Sequence, residues 1–496
     1  MPDFDLLVVG GGPGGYVAAI RAAQHGLTVA LVEKERPGGV CLNWGCIPTK
    51  AMLRSAEVFQ TVSAAADFGV YAENVRYDFA AVRQRKDGIV KELTDGVAGL
   101  LAANGVTVIE GHARFIDPTT VEVHEVGPSP VGPQGPRYAA APTTPIRQVS
   151  ARDVIIATGS VPARLPIPGA DLPGVITSDG AFGLTEVPKR LVIIGGSAVG
   201  AEWASLFATF GAEVTIVEMQ DRLVPAEDTD IGSALGRSFS KRGISVLTGS
   251  TVKSIAQESN QALRVTVDGP RAGELDADVV LVGVGRRPNT TDLGLDIAAI
   301  ATDDRGFITV DEQLRTGTAH VYAIGDVTGR ALLAHVASHQ GLTAADVIAG
   351  HQAHIDYTVI PAATFTHPEI ASVGLTEAAA RAAGHEVITA RFPFAALGRA
   401  KTFGETEGFV KIVAGQQHQE VLGVHIIGPS ASDLITEGAL AISLEATLDE
   451  LAGTIHAHPT LGEIGMEAAL AGLGLPVHIA PRKTLRSHRD HDHRTP

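Results

Sequence analysis

Cysteine is almost absent from this 496-residue chain, which contains only Cys41 and Cys46. So low a count excludes a disulfide-stapled secreted scaffold and fits a reducing compartment. No apolar run reaches the roughly 18 residues of a membrane span, and a strand-like run from Phe4 leaves no room for a signal peptide before it. The net charge of −16 argues against a nucleic-acid surface. We expect a cytoplasmic protein without a membrane span, or an organelle-matrix protein if a transit peptide has been removed.

The two cysteines lie five residues apart in GGVCLNWGCIPTK, residues 38–50. In a regular α-helix the Cα atoms of such residues are roughly 8.6 Å apart, whereas a disulfide allows at most about 6.8 Å. The helix must therefore be deformed if the pair is to close. A short, strained bridge stabilises a fold little and is easily reduced, which favours a redox catalyst over a cross-link. Two unrelated buried thiols are the alternative.

Residues 5–33 predict a nucleotide-binding unit. The run DLLVVGGGPGGYVAAIRAAQHGLTVALVE has the order strand, glycine turn, helix and strand, with Gly10, Gly12 and Gly15 in GxGxxG spacing. Such glycines allow the tight turn, the approach of a pyrophosphate and the packing of helix on strand, while the helix N-terminus receives the phosphates. Glu33 ends the second strand, where it would bind the ribose hydroxyls.

The pattern recurs at residues 190–218, with Gly195 and Gly200 at the outer positions and Glu218 at the end. Two such units predict two cofactors, one of which can pass electrons to the other. Ser197 replaces the middle glycine, so its side chain must point away from the pyrophosphate. Glu218 favours NAD, because a carboxylate would repel the 2′-phosphate of NADP; Arg222 nearby leaves NADP open.

A carboxylate and an imidazole stand together near the C-terminus, where TIHAHPTLGE places His458 and Glu463 five residues apart. A carboxylate bound to one ring nitrogen fixes the tautomer and raises the basicity of the other, which makes a general base for a thiol. His456 is a weaker candidate that could instead bond backbone at the turn.

These motifs together resemble the dihydrolipoyl dehydrogenase family of pyridine nucleotide-disulfide oxidoreductases, over about Asp5 to Leu473. Besides the segments above, the resemblance rests on ATGS (157–160), GRRPNT (285–290), AIGD (323–326), LLAH (332–335), FTHPEIASVGLTE (365–377) and HAHPTLGE (456–463).

The resemblance implies an α/β fold with two Rossmann-like domains, for FAD and NAD, and an α+β C-terminal dimerisation domain. The implied boundaries are an FAD domain at 1–157 with an exposed Pro/Gly-rich loop at 126–145, an NAD domain at 158–284, a central segment at 285–352, an interface domain at 353–475 and a flexible, His-rich tail at 476–496.

The resemblance also implies the site residues. Cys41, Cys46, His458 and Glu463 are the catalytic set, and no metal site is implied. Lys50 and Glu202 form an ion pair beside the flavin, and a helix beginning near His335 points its positive end at the flavin. The FAD contacts are Gly10, Gly12, Gly15, Glu33, Lys34, Gly39, Val40, Lys50, Ala113, Thr158, Gly159, Ser160, Asp326, Leu332, Leu333, Ala334 and His335. The NAD contacts are Gly195, Gly196, Ser197, Ala198, Val199, Gly200, Glu202, Glu218, Val252 and Gly285.

The implied reaction oxidises protein-bound dihydrolipoamide through the Cys41–Cys46 disulfide and FAD and reduces NAD⁺ to NADH. The implied partners are a second copy of the chain, which supplies the base, and the lipoyl domains and acyltransferase core of 2-oxoacid dehydrogenase complexes or the lipoylated glycine-cleavage carrier protein.

Several other functions are compatible with parts of this pattern. Glutathione reductase has arginines where this chain has Glu218, Met219 and Gln220, and mercuric and larger thioredoxin reductases need further C-terminal thiols. An NAD(P)H-dependent flavin quinone reductase or another disulfide reductase of the same family is the alternative enzyme. A non-catalytic flavin scaffold that binds a partner through its tail or loop is the alternative of a different class.

Overall fold

The structure is a computed structural model that describes residues 1–126, 144–258 and 262–481. The chain forms two compact units. The first contains residues 1–358 and 364–366, and the second contains residues 359–363 and the chain from His367 onwards. The predicted loop at 126–145 and tail at 476–496 fall largely outside the described residues.

The first unit begins with a parallel sheet that carries an antiparallel extension. Its order is β3-β2-β1-β6-β5-β4, in which the second half of β6 pairs with β1 and the first half pairs with β5. The elements are β1 (Phe4–Val9), α1 (Pro13–Gln24), β2 (Val29–Glu33), α2 (Gly39–Trp44), α3 (Cys46–Ser63), α4 (Phe79–Ala103), β3 (Thr107–Glu110), β4 (His112–Asp117), β5 (Thr120–His124) and β6 (Pro145–Ile156).

The first nucleotide unit is formed by a buried apolar strand and the glycine turn that follows it. Leu6, Leu7 and Val8 of β1 are fully buried, and each such side chain contributes about 1.5–3 kcal/mol of transfer free energy. Gly10 follows at φ +105°, a backbone region that glycine alone enters without strain. A Cβ on Gly15 would lie 1.9 Å from the Gly10 carbonyl oxygen, so helix α1 packs this closely on the strand only with glycine there.

The helix that carries the two cysteines is broken between them, as the sequence predicts. Helix α2 ends at Trp44, Gly45 has φ −142° and ψ −103°, and α3 begins at Cys46. The break removes the regular i, i+5 spacing that would hold the two Cα atoms apart.

A second parallel sheet, of order β11-β10-β9-β15-β8, follows in the same unit, and β12-β13-β14 form an antiparallel sheet. The elements are β7 (Ser160–Pro162), β8 (Val175–Thr177), α5 (Ser178–Ala181), β9 (Arg190–Ile194), α6 (Ala198–Thr209), β10 (Glu213–Val217), α7 (Thr229–Lys241), β11 (Ser245–Leu247), β12 (Thr251–Gln257), β13 (Leu263–Asp268), β14 (Gly273–Ala277) and β15 (Val279–Val282).

The first unit is completed by β16 (Arg286–Pro288), β17 (Val321–Ala323) and α8 (Ala334–Ile348). Strand β16 pairs with β7, and β17 returns to the first sheet beside β6. Helix α8 packs along α1, where a Cβ on Gly341 would lie 2.4 Å from the Gly14 carbonyl oxygen.

The second unit is built on a sheet of order β18-β19-β22-β21-β20, in which β19, β22, β21 and β20 pair antiparallel. The elements are β18 (Ala362–Thr364), β19 (Glu369–Gly374), α9 (Glu377–Ala382), β20 (Val387–Pro393), α10 (Gly398–Phe403), β21 (Phe409–Gly415), β22 (Val421–Gly428), α11 (Ala431–Ser443), α12 (Leu448–Gly453) and α13 (Glu463–Gly472). Residues up to Ile479 pack against its core, and His478 Nδ1 lies 2.6 Å from Glu467 Oε1. The predicted fold class, α/β with two Rossmann-like domains and an α+β C-terminal domain, is confirmed.

Candidate redox active site

The structure brings Cys41 and Cys46 together across the break at Gly45. The two are present as thiols, both half-buried, and their side chains are hydrogen-bonded to each other. Cys46 is the first residue of α3, where unpaired backbone N–H groups favour a negative charge. The arrangement matches the reduced form of a redox-active pair.

The two thiols differ in acidity. The hydrogen bond from Cys41 lowers the pKa of Cys46 to about 7, and the nearby charge of Lys50 acts in the same direction. The same hydrogen bond and burial raise the pKa of Cys41 far above its usual range. Near neutral pH about half of Cys46 is therefore thiolate, while Cys41 keeps its proton.

The predicted ion pair between Lys50 and Glu202 is present. Lys50 Nζ lies 2.9 Å from both carboxylate oxygens of Glu202, and the Phe365 amide donates to Glu202 Oε1 at 2.9 Å. The Lys50 ammonium also lies 4.6 Å from the centre of the Phe365 ring. Glu202 is 6% exposed, and these contacts offset the cost of burying a carboxylate.

Replacing Lys50 with methionine is expected to raise the pKa of Cys46 from about 7 by about one unit, because the thiolate loses a nearby cation. The variant is also expected to lose about 3–5 kcal/mol of unfolding free energy, since Glu202 is left buried without its partner. The pH dependence of Cys46 alkylation and a denaturant titration measure the two effects. Arg54→Met removes an exposed cation one turn later on α3 and is the control; an equal pKa shift there would contradict the prediction.

The first nucleotide unit presents backbone donors and one carboxylate. The Gly11 amide donates to Glu33 Oε2 at 2.7 Å, and the Glu35 amide donates to Glu33 Oε1 at 2.9 Å. Burial raises the pKa of Glu33, although these amides oppose the shift. No side chain caps the N-terminus of α1 at Gly12, so its first N–H groups can receive phosphate. Gly39 approaches Gly12 so closely that a Cβ on Gly39 would lie 2.6 Å from the Gly12 Cα.

Residues 158–160 meet the AIGD segment in a polar cluster. Ser160 Oγ donates to Asp326 Oδ2 at 2.5 Å. Burial raises the pKa of Asp326, while Ser160 and the charge of Arg286 oppose this. Thr158 Oγ1 is buried and has no hydrogen-bond partner among the described residues. An orphaned hydroxyl two residues before the Ser160–Asp326 pair fits the polar chain of a flavin cofactor.

Arg286 is a site residue that the sequence reasoning missed. Its Nε donates to Ser160 Oγ at 2.6 Å and one terminal nitrogen donates to the Ser160 carbonyl at 2.8 Å. Its position in GRRPNT was the available signal, but only strand pairing between β16 and β7 shows what it contacts.

The predicted helix near His335 begins at Ala334, with Leu333 as the N-cap and no side-chain cap. Leu332 and Leu333 precede it, and the backbone of Leu333 is extended. Gln340 on the same helix accepts the Gly325 amide at 2.5 Å and donates to Tyr357 Oη at 2.8 Å. The second turn of α8 is thereby bonded to the residue before Asp326.

The second nucleotide unit repeats the first in atomic detail. The Gly196 amide donates to Glu218 Oε2 at 2.6 Å, and the Gln220 amide donates to Glu218 Oε1 at 2.7 Å. Gly195 has φ +103°, and a Cβ on Gly200 would lie 1.9 Å from the Gly195 carbonyl oxygen. The guanidinium of Arg222 is held by Asp221 and the Pro225 carbonyl.

Ser197 is the N-cap of α6, with φ −78° and ψ −173°. Gly12 has almost the same conformation, φ −69° and ψ −178°, which any residue adopts without strain. Ser197 is exposed and makes no side-chain capping bond. The serine therefore leaves the fold of the turn intact, and Ala198 and Val199 form the first turn of α6.

The remaining predicted contacts lie on these same elements. Lys34 follows β2, Val40 lies in α2, Ala113 is buried on β4, Gly159 precedes β7, and Val252 lies in β12. Gly285 has φ +115° before β16.

The second unit holds the imidazole–carboxylate pair. His458 Nδ1 lies 2.8 Å from Glu463 Oε1, and the Thr460 amide donates to Glu463 Oε2 at 2.8 Å. Burial would raise the pKa of Glu463, but the Thr460 amide and His458 bring it below its usual range. His458 is 77% exposed. His456, in contrast, contacts the Thr454 carbonyl and Glu437 through its two ring nitrogens.

Within the described ranges no group of three or more His, Cys, Asp or Glu could hold a metal ion. No helix in the same ranges has both the length and the apolar character to cross a membrane.

Two nucleotide-binding units and a polarised dithiol define the class of the protein, a flavoprotein disulfide oxidoreductase. The family model described as pyridine nucleotide-disulphide oxidoreductase matches residues 4–341, and the model of its dimerisation domain matches residues 360–469. The chain belongs to the pyridine nucleotide-disulphide oxidoreductase family, whose typical cofactors are FAD and NAD.

Curated relatives cover nearly the whole chain. The dihydrolipoyl dehydrogenase of Geobacillus stearothermophilus is 44% identical over 96% of this chain and 98% of its own length. That of Chlamydia muridarum is 42% identical over 97% and 99%. Among solved structures, LpdA from Mycobacterium tuberculosis has a TM-score of 0.83 at 29% identity, covering 94% of this chain and 98% of its own. The HOCl-induced flavoprotein disulfide reductase RclA from Escherichia coli has a TM-score of 0.82 at 28% identity, covering 94% and 99%.

Proposed function

We propose that the chain is a dihydrolipoyl dehydrogenase, which oxidises protein-bound dihydrolipoamide to lipoamide and reduces NAD⁺ to NADH. The observation that carries this proposal is the polarised thiol pair, with Cys46 at a pKa of about 7 beside Lys50. The full-length relatives with this activity support it.

The chain's own residues handle the thiols and the proton. With Nδ1 bonded to Glu463, His458 accepts a substrate thiol proton at Nε2. The substrate thiolate attacks Cys41 of the oxidised pair, breaks the Cys41–Cys46 bond and releases Cys46 as a thiolate. The second substrate thiol then displaces Cys41 and closes lipoamide, so that the pair ends with the two electrons.

The FAD site consists of the residues that line the first nucleotide turn, the 158–160 cluster and the start of α8. Glu33 holds the ribose end, Asp326 the ribityl chain, and the Lys50–Glu202 pair lies beside the thiols. FAD bound there would supply the two-electron chemistry that links the thiol pair to NAD⁺.

The second nucleotide unit takes NAD⁺ in preference to NADP⁺. Glu218 is 5% exposed and accepts hydrogen bonds from two backbone amides. Its carboxylate can accept a hydrogen bond from the ribose 2′-hydroxyl of NAD⁺, whereas it would repel the 2′-phosphate of NADP⁺. Arg222 lies nearby, and its guanidinium is bonded to Asp221 and the Pro225 carbonyl.

The second unit mediates a homodimer. Leu440, Leu444 and Ile455 are 59%, 70% and 96% exposed and are available to such an interface. The partner subunit supplies the base, and the dimer serves the lipoyl domains and acyltransferase core of a 2-oxoacid dehydrogenase complex or a lipoylated glycine-cleavage carrier in the cytoplasm.

Steady-state turnover of the purified yellow protein tests this function. We expect NADH formation from dihydrolipoamide with NAD⁺ and at most a small rate with NADP⁺. Cys41→Ser should abolish it while sparing NADH-to-quinone transfer, which needs no thiol. Quinone reduction without any lipoamide turnover in the wild-type protein would contradict the proposal and favour a quinone reductase.

A further inference from the structure

One side-chain hydrogen bond joins the end of α2, directly before the redox-active break, to the loop that follows β2. Trp44 is the last residue of α2, directly before the break at Gly45. Its indole N–H donates to Glu35 Oε2 at 3.0 Å, and the Arg36 guanidinium lies 6.0 Å from the ring centre. The residue that immediately precedes the Gly45–Cys46 step is therefore tied to the loop after β2.

That loop is itself bonded to the nucleotide turn. The Glu35 amide donates to Glu33 Oε1, and the Gly11 amide donates to Glu33 Oε2. A continuous chain of hydrogen bonds thus runs from the phosphate turn through Glu33 and Glu35 to Trp44.

The second nucleotide unit provides an internal comparison. There Gln220 occupies the place of Glu35, and its amide bonds Glu218 Oε1 in the same way. Its side chain, however, is exposed. The dinucleotide fold therefore does not require a partly buried acid at this position, and the unit that carries the thiols is the one that has it.

The position of the Glu35 carboxylate is unfavourable for the stability of the fold. Burial raises the pKa of Glu35, which the Trp44 hydrogen bond only partly offsets. Its Oε1 is buried and has no hydrogen-bond partner among the described residues. Because an under-bonded carboxylate destabilises a fold, its presence calls for a role beyond folding.

We propose that Glu35 and Trp44 are positioning residues that hold the redox-active turn in register with the first nucleotide site, and so couple FAD binding to the Cys46 thiolate. The indole fixes the end of α2, which fixes the direction in which the chain enters α3. Cys46 then stays within reach of the Cys41 proton that stabilises its thiolate. The proposal depends on the proposed function only in taking the thiols as the redox centre and FAD as the ligand.

The test uses the holoenzyme and two readouts that need no lipoamide. Trp44→Phe keeps an aromatic ring but removes the N–H donor. We expect FAD to dissociate about three- to tenfold more readily, the effect of losing one hydrogen bond. We also expect the pH of half-maximal Cys46 alkylation in the reduced enzyme to rise by about half a unit, because the thiolate loses part of its donor.

Two further variants make the result specific. Glu35→Gln keeps an acceptor for the indole and should stay near the wild type in both readouts. Gln220→Ala changes the matching position of the second unit and should alter neither. An unchanged alkylation profile in Trp44→Phe, even with weaker FAD binding or a lower melting temperature, would mean a merely structural bond and would overturn the proposal. So would a Glu35→Gln variant as impaired as Trp44→Phe. Absent lipoamide turnover would count against the proposed function alone.

Discussion

Cys46→Ser is expected to lower dihydrolipoamide-dependent NAD⁺ reduction by about a thousandfold or more, because a serine hydroxyl can neither form the disulfide nor ionise near neutral pH. In the wild type, Cys46 has a pKa of about 7, so roughly half of it is thiolate at that pH. The measurement is steady-state NADH formation, with the flavin content of each preparation determined by absorbance.

The change from sulfur to oxygen is nearly isosteric, so we expect the Cys46→Ser protein to fold and bind FAD. NADH-to-quinone transfer in the same preparation is the internal control and should persist. A variant that keeps more than a tenth of the lipoamide activity would show that the thiol pair does not carry the reaction.

His458→Gln is expected to reduce the same activity by about 10²–10⁴-fold, the usual contribution of a positioned general base. The substrate thiol proton goes to Nε2 of His458, because Nδ1 is already bonded to Glu463 Oε1 at 2.8 Å. The variant should retain NADH-to-quinone transfer, and the loss should appear in the step that consumes dihydrolipoamide.

His456→Gln is the matched control for the base. His456 lies two residues earlier, and both of its ring nitrogens are engaged within its own unit, with Thr454 and Glu437. We expect less than about a tenfold loss, since only the support of the turn is weakened. If His456→Gln were as damaging as His458→Gln, the assignment of the base to His458 would be wrong.

The nucleotide units were predictable because their signals are local. Gly10 and Gly195 have positive φ angles, and Gly15 and Gly200 have no room for a Cβ. Both requirements are met by glycine, so they are visible as glycines within a short stretch of sequence. A deformed helix between the cysteines was also predictable, because two cysteines five residues apart do not meet on a regular helix; its position at Gly45 comes from the structure.

Contacts between distant segments were not predictable from the residues alone. Arg286 meets Ser160 only because β16 pairs with β7, 126 residues away in the chain. Gln340 meets Gly325, and Phe365 meets Glu202, through helix and loop packing that leaves no periodic pattern. The Trp44–Glu35 bond spans nine residues, yet it depends on α2 ending where it does.

The amino-acid order alone determines which elements form, where two nucleotide turns and one dithiol stand, and which residues carry titratable chemistry, because backbone sterics and hydrophobic periodicity act over short stretches of chain. Only the tertiary structure decides which of these titratable groups carry a charge at a given pH. It places Cys41 as a hydrogen-bond donor to Cys46, sets Lys50 against a buried Glu202, and leaves Asp326 and Glu35 half-buried. Acidity depends on desolvation and on neighbouring charges in space, and these neighbours come together only when the chain has folded.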